Sequence, residues 1–305
     1  MSKKSQEPRN YRAGRVSATA GAGIFSTINK ADRVAFYDRS IVLSRIFAND
    51  PDSWVLKGGT ALIWRDTTAR STRDIDLFNS AAEDINEALH ALRNSLETIS
   101  TAPSDVHLVI DSAKIDVSAQ GNRQQAALQV RLQSASGMPL SNTPVKIDLV
   151  VGCHVTGEVD AHPANGLEKV LQSHVPHIRL YPIVDHLADK VAATMQSYPS
   201  SDGDSPSSRV HDLIDIAHIA VTEEINGNQL LVAIESERIQ RGLPPYEQGF
   251  QCPPHWAELY RKRKGSKGSA PQSFDEAVDI AKRLIDSAIF GKSLGMTWKD
   301  GSWHA

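Results

Sequence analysis

The stretch "LKGGTALIWRDTTARSTRDIDLF", residues 56–78, combines a glycine pair with two closely spaced acids. Gly58 and Gly59 end a short apolar run, and Asp74 and Asp76 are separated by one isoleucine in a segment that alternates like a strand. Successive side chains of a strand point to opposite faces, so the two carboxylates share one face. Like charges at that distance are costly unless a cation neutralises them. The pattern therefore indicates either a site for Mg²⁺ (or Mn²⁺) or a strand edge with both acids in water.

A third acid and the glycine pair extend this candidate site. A strand that ends at Gly58-Gly59 and continues into Thr60 lets backbone N–H groups approach a phosphate, although a glycine pair also suits a simple tight turn. In "PVKIDLVV", residues 144–151, Asp148 occupies the strand face opposite the aliphatic residues. Three strand acids beside a glycine turn favour metal-assisted chemistry on a nucleotide.

Composition limits the class of protein. The chain has 305 residues with 40% hydrophobic and 23% charged, which is typical of a globular protein with one large or two smaller domains. It contains no apolar run of the roughly 20 residues that a membrane span needs and no secretory signal, so we expect a cytoplasmic protein without membrane contact. Cys153 and Cys252 support neither a disulfide framework nor a zinc site. The net charge of −3 excludes a uniformly basic protein but leaves local basic patches open.

Three domains are expected from the pattern along the chain. Residues 1–28 are polar and aperiodic, which predicts a flexible N-terminus. Helical and strand patterns interleave over residues 29–160, which predicts an α/β core with a mixed sheet. Residues 161–305 carry amphipathic patterns separated by breaks rich in Ser, Gly and Pro, which predicts a helical C-terminal domain.

Alternatives remain open for three features of this second half. His211, Asp215 and His218 fall on one helix face and form either a metal site or a polar surface. The basic run "RKRKGSKG", residues 261–268, is either a solvated loop or a flexible contact to the phosphates of RNA. Lys190 lies on a predicted helix, where a lysine is either solvated or bound to phosphate.

These segments together resemble the AbiEii/AbiGii family of nucleotidyltransferase toxins, which includes the MenT-type toxins. The resemblance covers residues from about 50 to 220. It rests on four motifs in order, which are Gly58-Gly59-Thr60-Ala61-Leu62, then Arg70 and Thr72 before Asp74-Ile75-Asp76-Leu77, then Asp189-Lys190, and finally Arg209, Asp212 and Asp215 in an R-x-x-D-x-x-D pattern.

The resemblance implies a polymerase-β-like nucleotidyltransferase core, in which helices flank a mixed sheet. It implies that Asp74 and Asp76 hold Mg²⁺ against a nucleoside triphosphate (NTP), while Asp148 completes the metal site or deprotonates the acceptor hydroxyl. Lys190 would bind the triphosphate during catalysis, and Asp212 would orient Lys190 or the nucleotide. The other expected substrate-binding residues are Gly58, Gly59, Thr60, Arg70, Thr72 and Arg209.

We therefore expect a metal-dependent nucleotidyltransferase toxin of a toxin–antitoxin system. It would transfer NMP from an NTP, with CTP or GTP favoured, to the 3′ acceptor end of tRNA and so block translation and growth. The resemblance also implies a cognate winged-helix antitoxin. The alternatives are a small-molecule nucleotidyltransferase of the antibiotic-modifying type and a nucleotide-binding module without activity. The three acids argue against the module, and the basic run argues against a small acceptor.

Overall fold

The structure, a computed structural model, forms two compact units. It describes residues 9–101, 103–116, 124–163, 168, 171, 175–200, 203–253, 255–263 and 267–305. Unit 1 consists of Met1–Thr67, Ser71–Cys153 and Val159–Leu180, and unit 2 of Thr68–Arg70, His154–Glu158 and Tyr181–Ala305. The main division lies near residue 180, and the short segments Thr68–Arg70 and His154–Glu158 also belong to unit 2. The predicted boundary lies at residue 160.

The N-terminal part of unit 1 is helical. Helix α1 spans Arg9–Ala20, a 3₁₀ turn spans Gly23–Ser26, and helix α2 spans Arg33–Asn49. The expected flexible terminus is therefore wrong for residues 9–20, because Tyr11 of α1 is buried and donates a hydrogen bond to Asp38 of α2 at 2.8 Å. The sequence of α1 alone is too polar to predict this packing.

A mixed sheet of seven strands, counted over the described residues, forms the body of unit 1 in the order β3-β4-β5-β2-β1-β7-β6. Its strands are β1 Trp54–Lys57, β2 Asp74–Asn79, β3 Val106–Asp116, β4 Gln124–Ser134, β5 Val145–Val151, β6 Asp160–His162 and β7 Ile178–Leu180. Strand β2 is parallel to β5 and antiparallel to β1, and β1 is parallel to β7. Helices α3, Gly58–Arg65, and α4, Ile85–Glu97, complete the core. The predicted mixed sheet with helices is confirmed.

Unit 2 is mainly helical, as predicted. Its helices are α5 Ile183–Met195, α6 Val210–Thr222, α7 Gly227–Gln240, α8 Trp256–Lys262 and α9 Phe274–Ile289. Its short strands are β8 Ser197–Ser200, β9 Gly203–Pro206, β10 Ile225–Asn226, β11 Thr297–Lys299 and β12 Ser302–His304. Strands β8 and β9 pair as an antiparallel hairpin within one of the predicted breaks rich in Ser, Gly and Pro.

Helix α6 lies at the centre of unit 2. Its aliphatic residues except Val221 are buried, and it is bounded by two fully buried tryptophans. The indole of Trp256 donates to the carbonyl of Ser207, and that of Trp298 donates to the carbonyl of Ala220, both at 2.7 Å. These bonds satisfy the polar end of each ring and fix both ends of the helix. Within the described ranges, no helix has the length and apolar character needed to cross a bilayer.

Candidate active site

Three carboxylates lie on one face of the sheet in unit 1, and we call this surface the acid face. The parallel register of β2 and β5 places Asp76 directly opposite Asp148, with Asp74 two residues earlier on the same side. Ile75 and its partner Ile147 point to the other side and are fully buried. The prediction that Asp74 and Asp76 share one face is therefore confirmed, and the pairing adds Asp148 to the same face.

The acid face has an excess of negative charge. Asp148 is exposed as a residue, but partial loss of solvent around its carboxyl raises its pKa. The nearby charge of Asp74 also raises this pKa, and Lys146 opposes the shift. One carboxylate oxygen of Asp74, Oδ1, is buried and has no hydrogen-bond partner among the described residues. Buried carboxylate oxygens normally have a partner. Asp74 and Asp148 are thus suited to a bound cation.

The glycine pair at the start of α3 allows the backbone to approach the acid face. Gly58 has φ +62°, and a Cβ placed there would lie 1.8 Å from Oδ2 of Asp76. A Cβ on Gly59 would lie 2.9 Å from Cβ of Thr72. Both positions therefore require glycine, the first for its conformation and both for space. The first N–H groups of a helix have no intrahelical partner, so this turn presents backbone donors beside Asp76.

Thr60 supports the site through its side chain. It is 1% exposed, and its hydroxyl donates to the backbone carbonyl of Asp74 at 2.6 Å. This bond fixes the start of β2 against α3. The hydroxyl is thus already engaged, which assigns Thr60 a positioning role and leaves only its backbone for the predicted substrate contact.

Lys57 is a residue of this site that the sequence interpretation missed. It is the last residue of β1 and lies directly opposite Asp76 in the antiparallel register, so both side chains are on one face. It is only 6% exposed, and its Nζ is 3.6 Å from Sγ of Cys153. The pairing of β1 with β2 locates it, because residues directly opposite each other in an antiparallel pair share a face. The chain between these strands includes helix α3, so the sequence does not reveal their register.

The acid face fits a divalent metal bound together with substrate. In the part of the chain that the structure describes, no three His, Cys, Asp or Glu side chains form a group that would hold a metal ion by themselves. Mg²⁺ commonly takes one or two carboxylates and fills its shell with water and phosphate oxygens. The unpartnered oxygen of Asp74, the close approach of Gly58 to Asp76 and the hard oxygen donors match that requirement.

A buried charge cluster occupies unit 2. Nζ of Lys190, on α5, lies 2.5 Å from Oδ2 of Asp215 and 3.4 Å from Oδ1 of Asp212, both on α6. Arg70 holds the same Asp215 with two nitrogens, at 2.5 and 2.6 Å. Arg209 donates to Asp212 at 2.7 Å, and its side chain is 50% exposed. We call these five residues the charge cluster. Lys190 is not a solvated lysine, so that alternative is wrong.

Electrostatics keep both acids of the charge cluster ionised. Burial alone would raise the pKa of Asp215, but Arg70 and Lys190 hold it well below its usual range. Burial likewise opposes ionisation of Asp212, and Lys190 and Arg209 outweigh it and lower its pKa. The cluster therefore has three cations against two carboxylates.

The second alternative for α6, a metal site at His211, Asp215 and His218, is not supported. Asp215 is occupied by two cations, and Nδ1 of His218 accepts a hydrogen bond from the N–H of Ser269 at 3.1 Å. Burial, opposed by Asp212 and reinforced by the nearby arginines, lowers the pKa of His211 to about 4. His211 is therefore neutral near pH 7.

The basic run is partly folded. Arg261 and Lys262 form the last turn of α8, so the prediction of a loop is wrong for them. Lys267 is 9% exposed, with its Nζ 5.1 Å from the centre of the Tyr260 ring. Residues 264–266 lie outside the described residues. Contact between this run and RNA stays a prediction.

The match of a family model agrees with the resemblance inferred from the motifs. The family model described as "Nucleotidyl transferase AbiEii toxin, Type IV TA system" matches residues 41–280, which is more than half of the chain. No curated protein matches. One similar solved structure is MenT4, a nucleotidyltransferase toxin of Mycobacterium tuberculosis H37Rv, with 14% sequence identity and a TM-score of 0.46 over 87% of this chain and 82% of that chain. A putative nucleotidyltransferase of H. pylori has 12% identity and a TM-score of 0.44 over 84% of this chain and 96% of that chain. JHP933 of Helicobacter pylori has 13% identity and a TM-score of 0.43 over 84% of this chain and 93% of that chain. The match of the family model shows that the chain belongs to the AbiEii nucleotidyltransferase toxin family.

Proposed function

We propose that this toxin transfers NMP from an NTP to RNA at the 3′ acceptor end of tRNA, and so stops aminoacylation. The acid face carries the proposal, because three carboxylates beside a glycine turn are the parts that metal-assisted transfer of a nucleotide needs. We further propose CTP or GTP as the donor, the cytoplasm as the location and a cognate winged-helix antitoxin as the partner.

In the transfer step, the acceptor hydroxyl oxygen forms a bond to the α-phosphorus of the NTP. The bond from that phosphorus to the oxygen that bridges to the β-phosphate breaks, and pyrophosphate leaves. The hydroxyl proton passes to a carboxylate, and Asp148 is the best candidate because its pKa is raised towards the range of a general base. Asp74 and Asp76 would hold Mg²⁺ or Mn²⁺, which when bound supplies positive charge to the phosphate oxygens.

The glycine turn would position the phosphates. Backbone N–H groups at Gly58 and Gly59 are donors without side-chain obstruction, and the start of α3 adds the positive end of the helix. Thr72 lies against Gly59 and lines the same turn. Thr60 holds β2 in place through its bond to the carbonyl of Asp74.

The charge cluster would neutralise the triphosphate. Its net charge of about +1, with His211 neutral, suits a polyanion. We propose that Lys190 binds the triphosphate, as the family resemblance implies, and that Asp212 and Asp215 keep its ammonium charged and in place. Arg209, the most exposed member of the five, would provide a further phosphate contact.

Incubation of the purified protein with total RNA and each α-labelled NTP in turn tests the proposal. We expect label in the tRNA fraction with the wild type, and none with Asp74→Ala or Asp76→Ala, because one carboxylate alone does not hold the metal in place. Asp111→Asn is the matched control, since Asp111 is an exposed strand acid of unit 1 that pairs with Arg131. A folded Asp76→Ala protein with wild-type transfer would contradict the metal site, and label in small molecules but not RNA would contradict the acceptor.

A further inference from the structure

A cavity of about 660 Å³ in unit 1 adjoins one end of the acid face. It lies between α2, the residues just before β2 and the segment that leads into β5. Its wall includes Ala35, Arg39, Thr72, Asp74, Asn142 and Lys146. Cavities of this size accommodate ligands as large as a nucleotide. We call it the Arg39 cavity.

Arg39 is a buried cation with an unsatisfied donor. The residue is 3% exposed, and its Nε is buried with no hydrogen-bond partner in the described part of the chain. Burial lowers its pKa to about 10, against the charges of Asp32, Asp74 and Asp38, so the guanidinium remains protonated near pH 7. A buried charge without full pairing costs stability.

Arg45 on the same helix shows the usual solution. It is fully buried, and its Nε and Nη2 donate to Thr101 and to the backbone carbonyls of Pro103 and Val106. Helix α2 therefore contains one buried arginine whose Nε and Nη2 have protein partners, although its Nη1 has none, and one whose Nε has none among the described residues. Arg39, whose Nε has no partner, is the one that lines the cavity.

The charges around the cavity favour an anionic ligand. Four cations line it, which are Arg15, Arg39, Arg73 and Lys146, against three acids, which are Asp32, Asp38 and Asp74. Two of these acids already accept hydrogen bonds from the protein, Asp38 from the hydroxyl of Tyr11 and Asp32 from that of Ser71. A guanidinium binds phosphate oxygens in a bidentate geometry.

The position of the cavity indicates which of the two substrates, the NTP or the acceptor RNA, it would bind. Asp74 and Thr72 line it, whereas Gly58, Gly59 and Asp76, where we place the NTP phosphates, do not. A transfer between two substrates needs a second site that reaches the same acids. The Arg39 cavity meets the acid face at Asp74 and supplies that site.

We infer that the Arg39 cavity binds the terminal nucleotide of the acceptor RNA, with Arg39 donating to its phosphate and the acceptor hydroxyl directed towards Asp74. The aliphatic side of the wall, from Val34, Ala35 and Val145, would pack against the base or ribose. This inference rests on the proposed function, because it identifies the acceptor site of the same reaction.

The test compares Arg39→Met and Arg39→Lys with wild type, and uses Arg45→Met as the control. For each, KM for a tRNA acceptor-stem hairpin, KM for the NTP, equilibrium binding of the 5′-labelled hairpin and thermal unfolding are measured. We expect Arg39→Met to weaken hairpin binding and raise its KM by about tenfold or more, with KM for the NTP unchanged. Arg39→Lys should retain part of the affinity, since it keeps the charge but loses the bidentate geometry.

Stability separates a binding role from a structural one. Removing an incompletely paired buried charge should leave the melting temperature of Arg39→Met unchanged or raise it, whereas Arg45→Met should melt lower with normal hairpin affinity. Unchanged hairpin binding by both Arg39 variants overturns the inference, as does a rise confined to the KM for the NTP. A wild type that transfers nothing to RNA overturns the proposed function instead, and the binding measurement still decides on the cavity.

Discussion

Gly58→Ala should inactivate the enzyme while leaving it folded, because an alanine methyl group would displace the carboxylate of Asp76. The methyl carbon would lie 1.8 Å from Oδ2, which is about 1.6 Å short of the 3.4 Å at which ordinary contact begins. Either Asp76 or the turn must therefore move by more than 1 Å. A misplacement of about 1 Å in an active site costs about a hundredfold in rate. The left-handed φ of +62° adds about 1–2 kcal/mol of destabilisation.

Gly23→Ala separates these two effects. Gly23 has nearly the same backbone conformation, with φ +57°, but an added Cβ would meet nothing within 4 Å. Both variants should lose stability in thermal unfolding through the left-handed φ, Gly58→Ala the more because of its clash, and only Gly58→Ala should lose transfer in a single-turnover assay with labelled NTP and RNA. Equal transfer rates for the two variants would refute the role of Gly58 in placing Asp76.

Three further predictions concern unit 2. Lys190→Ala should lower the single-turnover rate of transfer by about a hundredfold, a larger effect than its effect on NTP binding. Lys190→Arg should restore part of the lost rate. A wild-type rate in Lys190→Ala would show that Lys190 is not part of the active site. Since the pKa of His211 is lowered to about 4 from an ordinary 6.5, protonation favours the unfolded state as pH falls from 6.5 towards 4, and stability is lost over that range. His211→Gln should therefore make the free energy of unfolding less dependent on pH in urea titrations at pH 7, 5.5 and 4.5, and an unchanged slope would contradict the shift. Neutralising Arg261 and Lys262 should weaken RNA binding and flatten its salt dependence without changing NTP affinity, whereas an unchanged salt slope would contradict contact with RNA.

The sequence predicted local features of the acid face well. Alternation in "RDIDLF" places Asp74 and Asp76 on one side of a strand, and the same alternation places Asp148 opposite a buried aliphatic face. What alternation cannot provide is the pairing of β2 with β5, which are about 70 residues apart in the chain. That pairing depends on the whole sheet, in which β5 reaches β2 and the β3–β4 pair lies beyond it.

Features that depend on distant partners were not predictable. The burial of Lys190 follows from Asp212 and Asp215, 22 and 25 residues downstream, and from Arg70, far upstream, which holds Asp215. A helix pattern alone places a lysine outside the apolar stripe and so predicts solvent. Helix α1 was missed for the same reason, because Tyr11 is buried in a contact with α2, which is distant in the sequence.

Two of the unsatisfied buried groups of unit 1 belong to residues that line the Arg39 cavity. Oδ1 of Asp74 and Nε of Arg39 both lack a hydrogen-bond partner among the described residues, and both residues line the same cavity. If packing alone determined these positions, Arg39 would be better replaced by methionine or leucine, since an apolar side chain of similar volume avoids the cost of a buried charge. On the same helix, the buried Arg45 donates hydrogen bonds to the protein from its Nε and Nη2. The cost at Arg39 is therefore explained by a ligand, and the neighbouring acid indicates that this ligand is a reactant rather than a structural anion.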